Sequence, residues 1–176
     1  MSHIEFRLVG LEDGKEVLSE PLSYESLSTL VSYYPDTQKS QNFFKLASKH
    51  PSAEVRLQVA SKSKIDEDTC QTLINDDAIV VLKNIVSNAI FKETATLEIL
   101  KKYVEFDKDL AEAIAYDVES FKVADVLNLA EFIAINKDPS VVAALAGNRR
   151  APKKVLRDLL NHSDPLVSER ASESLR

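Results

Sequence analysis

The stretch DPSVVAALAGNRRAPKKVLRDLLNHSDP, from Asp138 to Pro165, begins and ends with the same dipeptide. Asp is a favoured helix N-cap, and Pro suits the first helical position because it has no N–H group to lose there. The two Asp-Pro pairs lie 26 residues apart and predict two helix starts. Between them, two apolar stripes at helical spacing are separated by GNRR at 147–150. The stretch therefore predicts a pair of short helices that forms one unit of a repeat.

The same unit recurs upstream. Residues 52–76 can be placed on residues 138–162 without a gap, and their apolar positions coincide. Cys70 then falls on Leu156, which predicts a buried thiol. Further copies, of which the last is incomplete, begin at three acidic residues: Asp77, Asp107 and Asp164. A period of this length is typical of stacked repeats, in which each unit buries its apolar face against its neighbours.

Three segments carry a resemblance to a known family: HPSAEVRLQVA at 50–60, DPSVVAALAGN at 138–148 and DPLVSERA at 164–171. They resemble the leucine-rich repeat variant family of HEAT-like α-solenoids, over roughly residues 40–176. The resemblance implies a right-handed α-solenoid of short helix pairs. Two features depart from the family. The Asn-Pro often found in the turn within each repeat is absent, and so is the cysteine cluster that binds iron–sulfur in some members.

The N-terminal segment has a different period. Ile4, Phe6 and Leu8 alternate with polar residues, as in a half-buried strand, and Asp13-Gly14 is a strong hairpin signal. We therefore predict a β-hairpin in residues 1–21 and an α-solenoid in residues 22–176. A solenoid needs its terminal apolar face covered, so the hairpin is interpreted as a cap. The alternative is an arm that docks a partner by its free strand edge.

Composition excludes several classes of protein. A single cysteine rules out a disulfide framework within the chain and a cysteine-based metal site. No Gly-rich phosphate loop, no serine nucleophile motif and no apolar run long enough to span a bilayer are present. Many of the carboxylates lie at predicted helix starts and are explained as helix caps: Asp66, Asp77, Asp107, Asp138 and Asp164. The sequence thus predicts a non-enzymatic protein without a cofactor or a membrane segment, and the cytoplasm is the expected compartment.

One edge of the predicted stack has basic turns and the other has acidic turns. The densest basic segment predicts a partner-binding cluster in and after the GNRR turn: Asn148, Arg149, Arg150, Lys153, Lys154 and Arg157. Lys153 and Lys154 lie near a helix start, where a positive charge opposes the helix dipole, so folding alone does not explain them.

The leading hypothesis is a repeat scaffold that binds a protein whose identity the sequence does not reveal. The alternative is a nucleic-acid-binding module that uses the cluster at 149–157, and a net charge of −6 disfavours it. A third hypothesis is homo-oligomerisation through the C-terminal end, where the repeat pattern stops after one helix.

Overall fold

The computed structural model of the chain describes residues 4–123 and 125–176. Helices account for 62% of the described residues, and a small two-stranded antiparallel sheet lies at the N-terminal end, so both coarse predictions are confirmed. The chain divides into two compact units, residues 1–90 and residues 91–176, which are described separately below.

The first unit contains the hairpin and the first group of helices. Its strands and helices are β1 (Arg7–Glu12), β2 (Lys15–Pro21), α1 (Tyr24–Tyr33), α2 (Gln41–Ala47), α3 (Ala53–Ala60), α4 (Glu67–Leu73) and α5 (Ile79–Val86). Helix α6 (Ala89–Thr94) crosses the division between the units. Helix α3 packs against α1 and α5, and α2 packs against α4, so each helix contacts the second one along the chain.

The second unit repeats this pattern of contacts. Its helices are α7 (Leu97–Phe106), α8 (Lys108–Tyr116), α9 (Val126–Ala134), α10 (Pro139–Ala146), α11 (Lys153–Leu159) and α12 (Pro165–Leu175). Helix α10 packs against α8 and α12, while α9 packs against α7 and α11. First helices of the predicted repeats therefore contact first helices, and second helices contact second helices, as the 26-residue period requires.

The predicted helix starts are mostly correct. The side chains of Asp66, Asp107, Asp138 and Asp164 each accept a hydrogen bond from a backbone N–H in the first turn of the helix that follows. The prediction for Asp77 is wrong, because α5 begins after Ala78 and the Asp77 side chain is exposed to solvent. Its neighbour Asp76 instead accepts a hydrogen bond from the backbone N–H of Ala78 at 2.8 Å.

The hairpin has the predicted Asp-Gly turn. Asp13 and Gly14 both have positive φ, 50° and 76°, which is the conformation that a two-residue hairpin loop demands. The expectation for Leu8 is wrong, since its side chain is 53% exposed, whereas Ile4 and Phe6 are half-buried. Residues 1–3 of the predicted N-terminal segment lie outside the described residues.

The repeat register identifies core residues correctly. Cys70 and Leu156, which occupy equivalent positions, are both fully buried. Leu159 is 5% exposed, but its neighbour Leu160 is 40% exposed and lies at the edge of the apolar stripe. The two leucines therefore form a matched pair with the same side chain in different environments.

We expect Leu159→Ala to lower the free energy of unfolding by about 2–5 kcal/mol, because it removes buried apolar volume and leaves a cavity. Leu160→Ala should cost less than about 1 kcal/mol, since much of that side chain already contacts water. Urea unfolding followed by circular dichroism measures both. Equal losses would contradict the register.

A buried ion pair joins two successive turns of the first unit. The Arg56 guanidinium bonds to the Asp76 carboxylate at 2.6 and 2.9 Å and donates to the carbonyls of His50 and Pro51. Burial by itself would raise the pKa of Asp76. The hydrogen bonds from Arg56 and from the Ala78 N–H, together with the Arg56 charge, outweigh burial and hold that pKa below its usual range.

A lowered carboxyl pKa stabilises the folded state above the unfolded-state pKa, and this contribution is lost as the pH falls through the folded-state pKa. We expect Asp76→Asn to destabilise the protein at pH 7 by roughly 1–3 kcal/mol, as the loss of a charged hydrogen bond does. The difference from wild type should shrink below about pH 4, where the unfolded-state carboxyl takes up a proton. Asp77→Asn is the control, because exposed Asp77 contacts the same guanidinium. Urea unfolding between pH 7 and pH 3 tests this, and a difference that does not depend on pH would contradict it.

Candidate partner-binding surfaces

The basic cluster predicted from the sequence divides into buried, engaged and free side chains. Asn148 is only 8% exposed. Its Nδ2 donates to the carbonyl of Tyr116 at 2.9 Å and to Oε2 of Glu119 at 2.7 Å, while its Oδ1 accepts from the N–H of Arg150. Asn148 therefore ties the turn after α10 to the turn after α8. Its side chain is a structural link and is not available to a partner.

Two lysines of the cluster also have contacts within the second unit. Lys153 donates to the carbonyls of Arg149 and Ser174, each at 3.0 Å, and so satisfies a carbonyl at the C-terminal end of α12. Lys154 pairs with Glu131 at 2.5 Å. This contact and the nearby charge of Glu131 raise the Lys154 pKa. The helix-dipole argument from the sequence thus overlooked two folding roles that only the neighbouring helices reveal.

The arginines of the cluster are the accessible part. Arg150 is exposed and lies 3.9 Å from Glu119. Arg149 and Arg157 are exposed, and their side chains have no hydrogen bond or ion pair within residues 4–123 and 125–176. A surface for an acidic partner would therefore consist of Arg149, Arg150 and Arg157, with Glu119 and Glu131 beside it.

The role of Asn148 recurs at the same position of other repeats. Asn88, which likewise follows the C-cap of its helix, donates to the carbonyl of Lys62 at 2.8 Å. Lys62 occupies the same position after α3 and donates to the carbonyls of Ser32 and Tyr34, each at 2.8 Å. Each side chain reaches back to a turn that precedes it in the chain. The sequence signal is a polar residue one position after the C-caps of α3, α5 and α10, and the sequence analysis did not use it.

We expect Asn148→Ala to destabilise the protein by about 1–3 kcal/mol, because it leaves buried carbonyl groups without a donor. Arg149→Ala, one residue away, should change little, since its exposed side chain has no contact to lose. Urea unfolding compares the two variants. A loss with Arg149→Ala that matched the loss with Asn148→Ala would contradict the structural role of the asparagine.

A second candidate surface lies on the edge formed by the turns between repeats. A cavity of about 490 Å³ opens between the α7–α8 turn and the α9–α10 turn of the second unit. Its floor consists of buried Val104, Ala111 and Val141. Phe106 and Ile135 stand at its rim and are 59% and 79% exposed. Exposed apolar side chains beside a cavity lined by apolar groups are typical of a binding groove.

The rim and the ends of this groove are held in place by polar contacts. Phe132 lines the groove, and its ring lies 5.0 Å from Nζ of Lys101. At the far side, Lys108 pairs with Asp138 at 3.2 Å. Hydrogen bonds within the second turn further fix its backbone, since Oδ1 of Asn136 accepts from the N–H of Asp138. The groove therefore has an apolar floor, and charged side chains of both signs also line it.

Ile135 is an exception among the turns between repeats. In four of these turns one residue accepts a hydrogen bond from the backbone N–H two positions further on: His50, Asp76, Asn136 and His162. The residues immediately before them are Lys49, Asn75, Ile135 and Asn161. An apolar side chain at a position that elsewhere carries a polar residue has no role in folding when it is this exposed. The apolar residue at this position could have been recognised from the sequence by aligning the repeats on their turns.

The two histidines share a structural role. His50 and His162 occupy equivalent positions on turns between repeats, and in both the Nδ1 atom accepts a hydrogen bond from a backbone N–H at 3.1 Å. Among the described residues, no group of three or more His, Cys, Asp or Glu side chains could hold a metal ion. Within the same part of the chain, every helix is too short or too polar to cross a bilayer.

Comparison with known proteins yields no relative. No family model, no curated protein and no solved structure matches the chain. The resemblance to the leucine-rich repeat variant family therefore stays a prediction. The described residues form a mainly helical protein with a small N-terminal β-hairpin.

Proposed function

We propose that this protein is a non-enzymatic α-solenoid scaffold, and that it binds an extended segment of another protein through the groove between the α7–α8 and α9–α10 turns. The observation that carries the proposal is the exposure of Phe106 and Ile135 beside a floor of buried apolar residues. An apolar side chain of the partner would enter the cavity and cover both rim residues. The removal of this apolar surface from water would supply the affinity.

The helix contacts support the solenoid part of the proposal. Within each unit, a helix packs against the second helix along the chain, and the turns after α3 and α5 are linked by Asn88. Stacked repeats expose positions that can be exchanged without changing the fold, and such surfaces suit recognition. Right-handed stacking and membership of a HEAT-like family are part of this proposal.

The charges around the groove favour a partner segment of mixed charge. Asp107 and Asp138 cap helices, and Lys108 pairs with Asp138, so the ends of the groove present both signs. A strongly basic or a strongly acidic ligand would gain little there. An apolar anchor flanked by residues of both charges therefore fits this groove best.

The nucleic-acid alternative has weaker support. Of the six residues in the predicted cluster, Asn148 is buried and Lys153 and Lys154 have contacts within the protein. Glu119 lies 3.9 Å from Arg150 and Glu131 pairs with Lys154, and both carboxylates would repel phosphates. The C-terminal end gives little support for oligomerisation, because Glu169 and Glu173 lie on the exposed side of α12.

A library of random linear peptides selected against the wild-type protein tests the groove directly. We expect the enriched peptides to share one apolar anchor residue. Ile135→Asp should weaken their binding at least about tenfold, because it places a charge where an apolar contact forms. Leu166→Asp is the matched control, because Leu166 is also an exposed aliphatic residue but lies on α12, outside the groove. This change should leave the affinity within about twofold.

Fluorescence anisotropy of labelled peptides gives the affinities, and circular dichroism verifies the fold of each variant. Equal weakening by Ile135→Asp and Leu166→Asp would contradict the proposal. Binding of unrelated DNA duplexes with a steep salt dependence, lost on reversal of Arg149 and Arg157 to Glu, would favour the nucleic-acid alternative instead.

A further inference from the structure

The two-stranded sheet has one edge that is open to strand pairing. The backbone N–H of Leu22 donates to the carbonyl of Phe6 at 2.8 Å, so Phe6 is in a hydrogen-bonded pair with the return strand. Such pairs alternate along an antiparallel ladder. Leu8 and Gly10 therefore also face β2, and the backbone groups of Arg7, Val9 and Leu11 point away from it.

The edge of β2 is blocked in several ways. Pro21 has no N–H group to offer, and the carbonyl of Ser19 accepts a hydrogen bond from Nη2 of Arg7 at 2.9 Å. The pairing shifts between Gly10 and Leu11, which leaves Val17 as an extra residue on β2. Prolines and bulges are devices that protect sheet edges. The β1 edge has neither between Arg7 and Glu12.

Two apolar side chains of β1, whose sequence is RLVGLE, are exposed to solvent. Val9 is 46% exposed and Leu11 is 67% exposed. The base of the hairpin is anchored by the Phe6 ring, which contacts the Phe43 ring edge-on with the ring centroids 5.7 Å apart. An isolated two-stranded hairpin is marginally stable in water, and additional strands stabilise it. The exposed edge therefore favours a docking role over that of a buried cap.

We propose that β1 pairs antiparallel with β1 of a second copy of this chain, around a two-fold axis at Gly10, to form a four-stranded sheet. In this register Val9 lies opposite Leu11 of the second copy, and Leu11 lies opposite Val9. Both are residues whose N–H and carbonyl groups point outward, so they can exchange hydrogen bonds. Their four apolar side chains then share one face of the sheet.

Charge and size select this register. It brings Arg7 near Asp13 of the second copy at each end of the paired strands. Three N–H groups of the Arg7 guanidinium donate to Glu5 and Ser19, and the other two can face Asp13. Opposite charges across a strand pair are stabilising. At the axis, Gly10 meets Gly10 without side chains. A register centred on Val9 would instead place two carboxylates, those of Glu5 and Asp13, opposite each other, and like charges across a strand pair are destabilising. The strand edge thus complements itself in both charge and apolar surface, which argues for a second copy as the occupant.

The contact is small, and we expect weak, reversible dimers. An edge pairing of this length buries less than the roughly 1,200 Å² found in stable complexes. Sedimentation velocity from about 1 µM to about 500 µM should show the mass rising from that of one chain towards that of two. A wild-type protein that keeps the mass of one chain throughout this range would overturn the proposal.

Proline substitutions at two facing residues distinguish the edges. Val9 and Ser19 are paired across the hairpin, and the N–H of each points outward, so proline at either site spares the hydrogen bonds between the strands. Val9→Pro should weaken association at least about tenfold, because it removes an N–H that the second copy needs. Ser19→Pro, the matched control, should leave association within about twofold. Equal effects of the two variants would overturn the proposal.

Disulfide cross-linking tests the register. Leu8 faces Glu12 of the second copy in a pair without hydrogen bonds, where the short distance between Cα atoms suits a disulfide. Leu8→Cys combined with Glu12→Cys should form covalent dimers under mild oxidation, and Leu8→Cys alone should form far fewer. Cys70 is fully buried and does not interfere. Covalent dimers at the same rate in both variants, or in neither, would overturn the register.

Discussion

The helices of this protein are short, so many of their backbone N–H and carbonyl groups need hydrogen-bond partners outside the helix. An α-helix leaves its first four N–H groups and its last four carbonyl groups without intrahelical partners. Helices such as α3 and α10 have 8 residues, so a large share of their backbone groups is unsatisfied. Side chains in the turns must supply the missing partners. Asp138 and Asp164 do so at helix starts, and Lys62, Asn88 and Asn148 do so at the turns after the first helices.

This constraint divides the turn residues into two groups. Residues that point inward satisfy the backbone and cannot be exchanged without a cost in stability, as the buried Asn148 illustrates. Residues that point outward do not bond these backbone groups, and their side chains are available for recognition. Ile135 belongs to the second group, because it is 79% exposed and the residues at the same position in other turns are polar. The Ile135 side chain is therefore an addition to the repeat, and the fold does not need it.

The hairpin represents the opposite case. A helix satisfies its interior backbone groups by itself, but a strand leaves half of its groups directed to each side. In β2 the outer groups are blocked by Pro21, by the Val17 bulge and by the Arg7 side chain. In β1 they are open, next to exposed Val9 and Leu11. The asymmetry between two strands of the same hairpin identifies β1 as the edge for pairing.

Sequence patterns were sufficient to predict the mainly helical fold, the helix starts at Asp66, Asp107, Asp138 and Asp164, the Asp13-Gly14 turn and the burial of Cys70. These features depend on local capping, on turn chemistry and on apolar periodicity, all of which are encoded within a few residues. Which polar side chains are available to a partner depends on the packing of the helices and could not be predicted in this way. Asn148 and Lys153 seemed available to a partner in the sequence, but carbonyl groups 21 to 32 residues away in the chain occupy their donors. A hydrogen bond between distant turns has no periodic signature, because its partner is chosen by the packing of neighbouring helices.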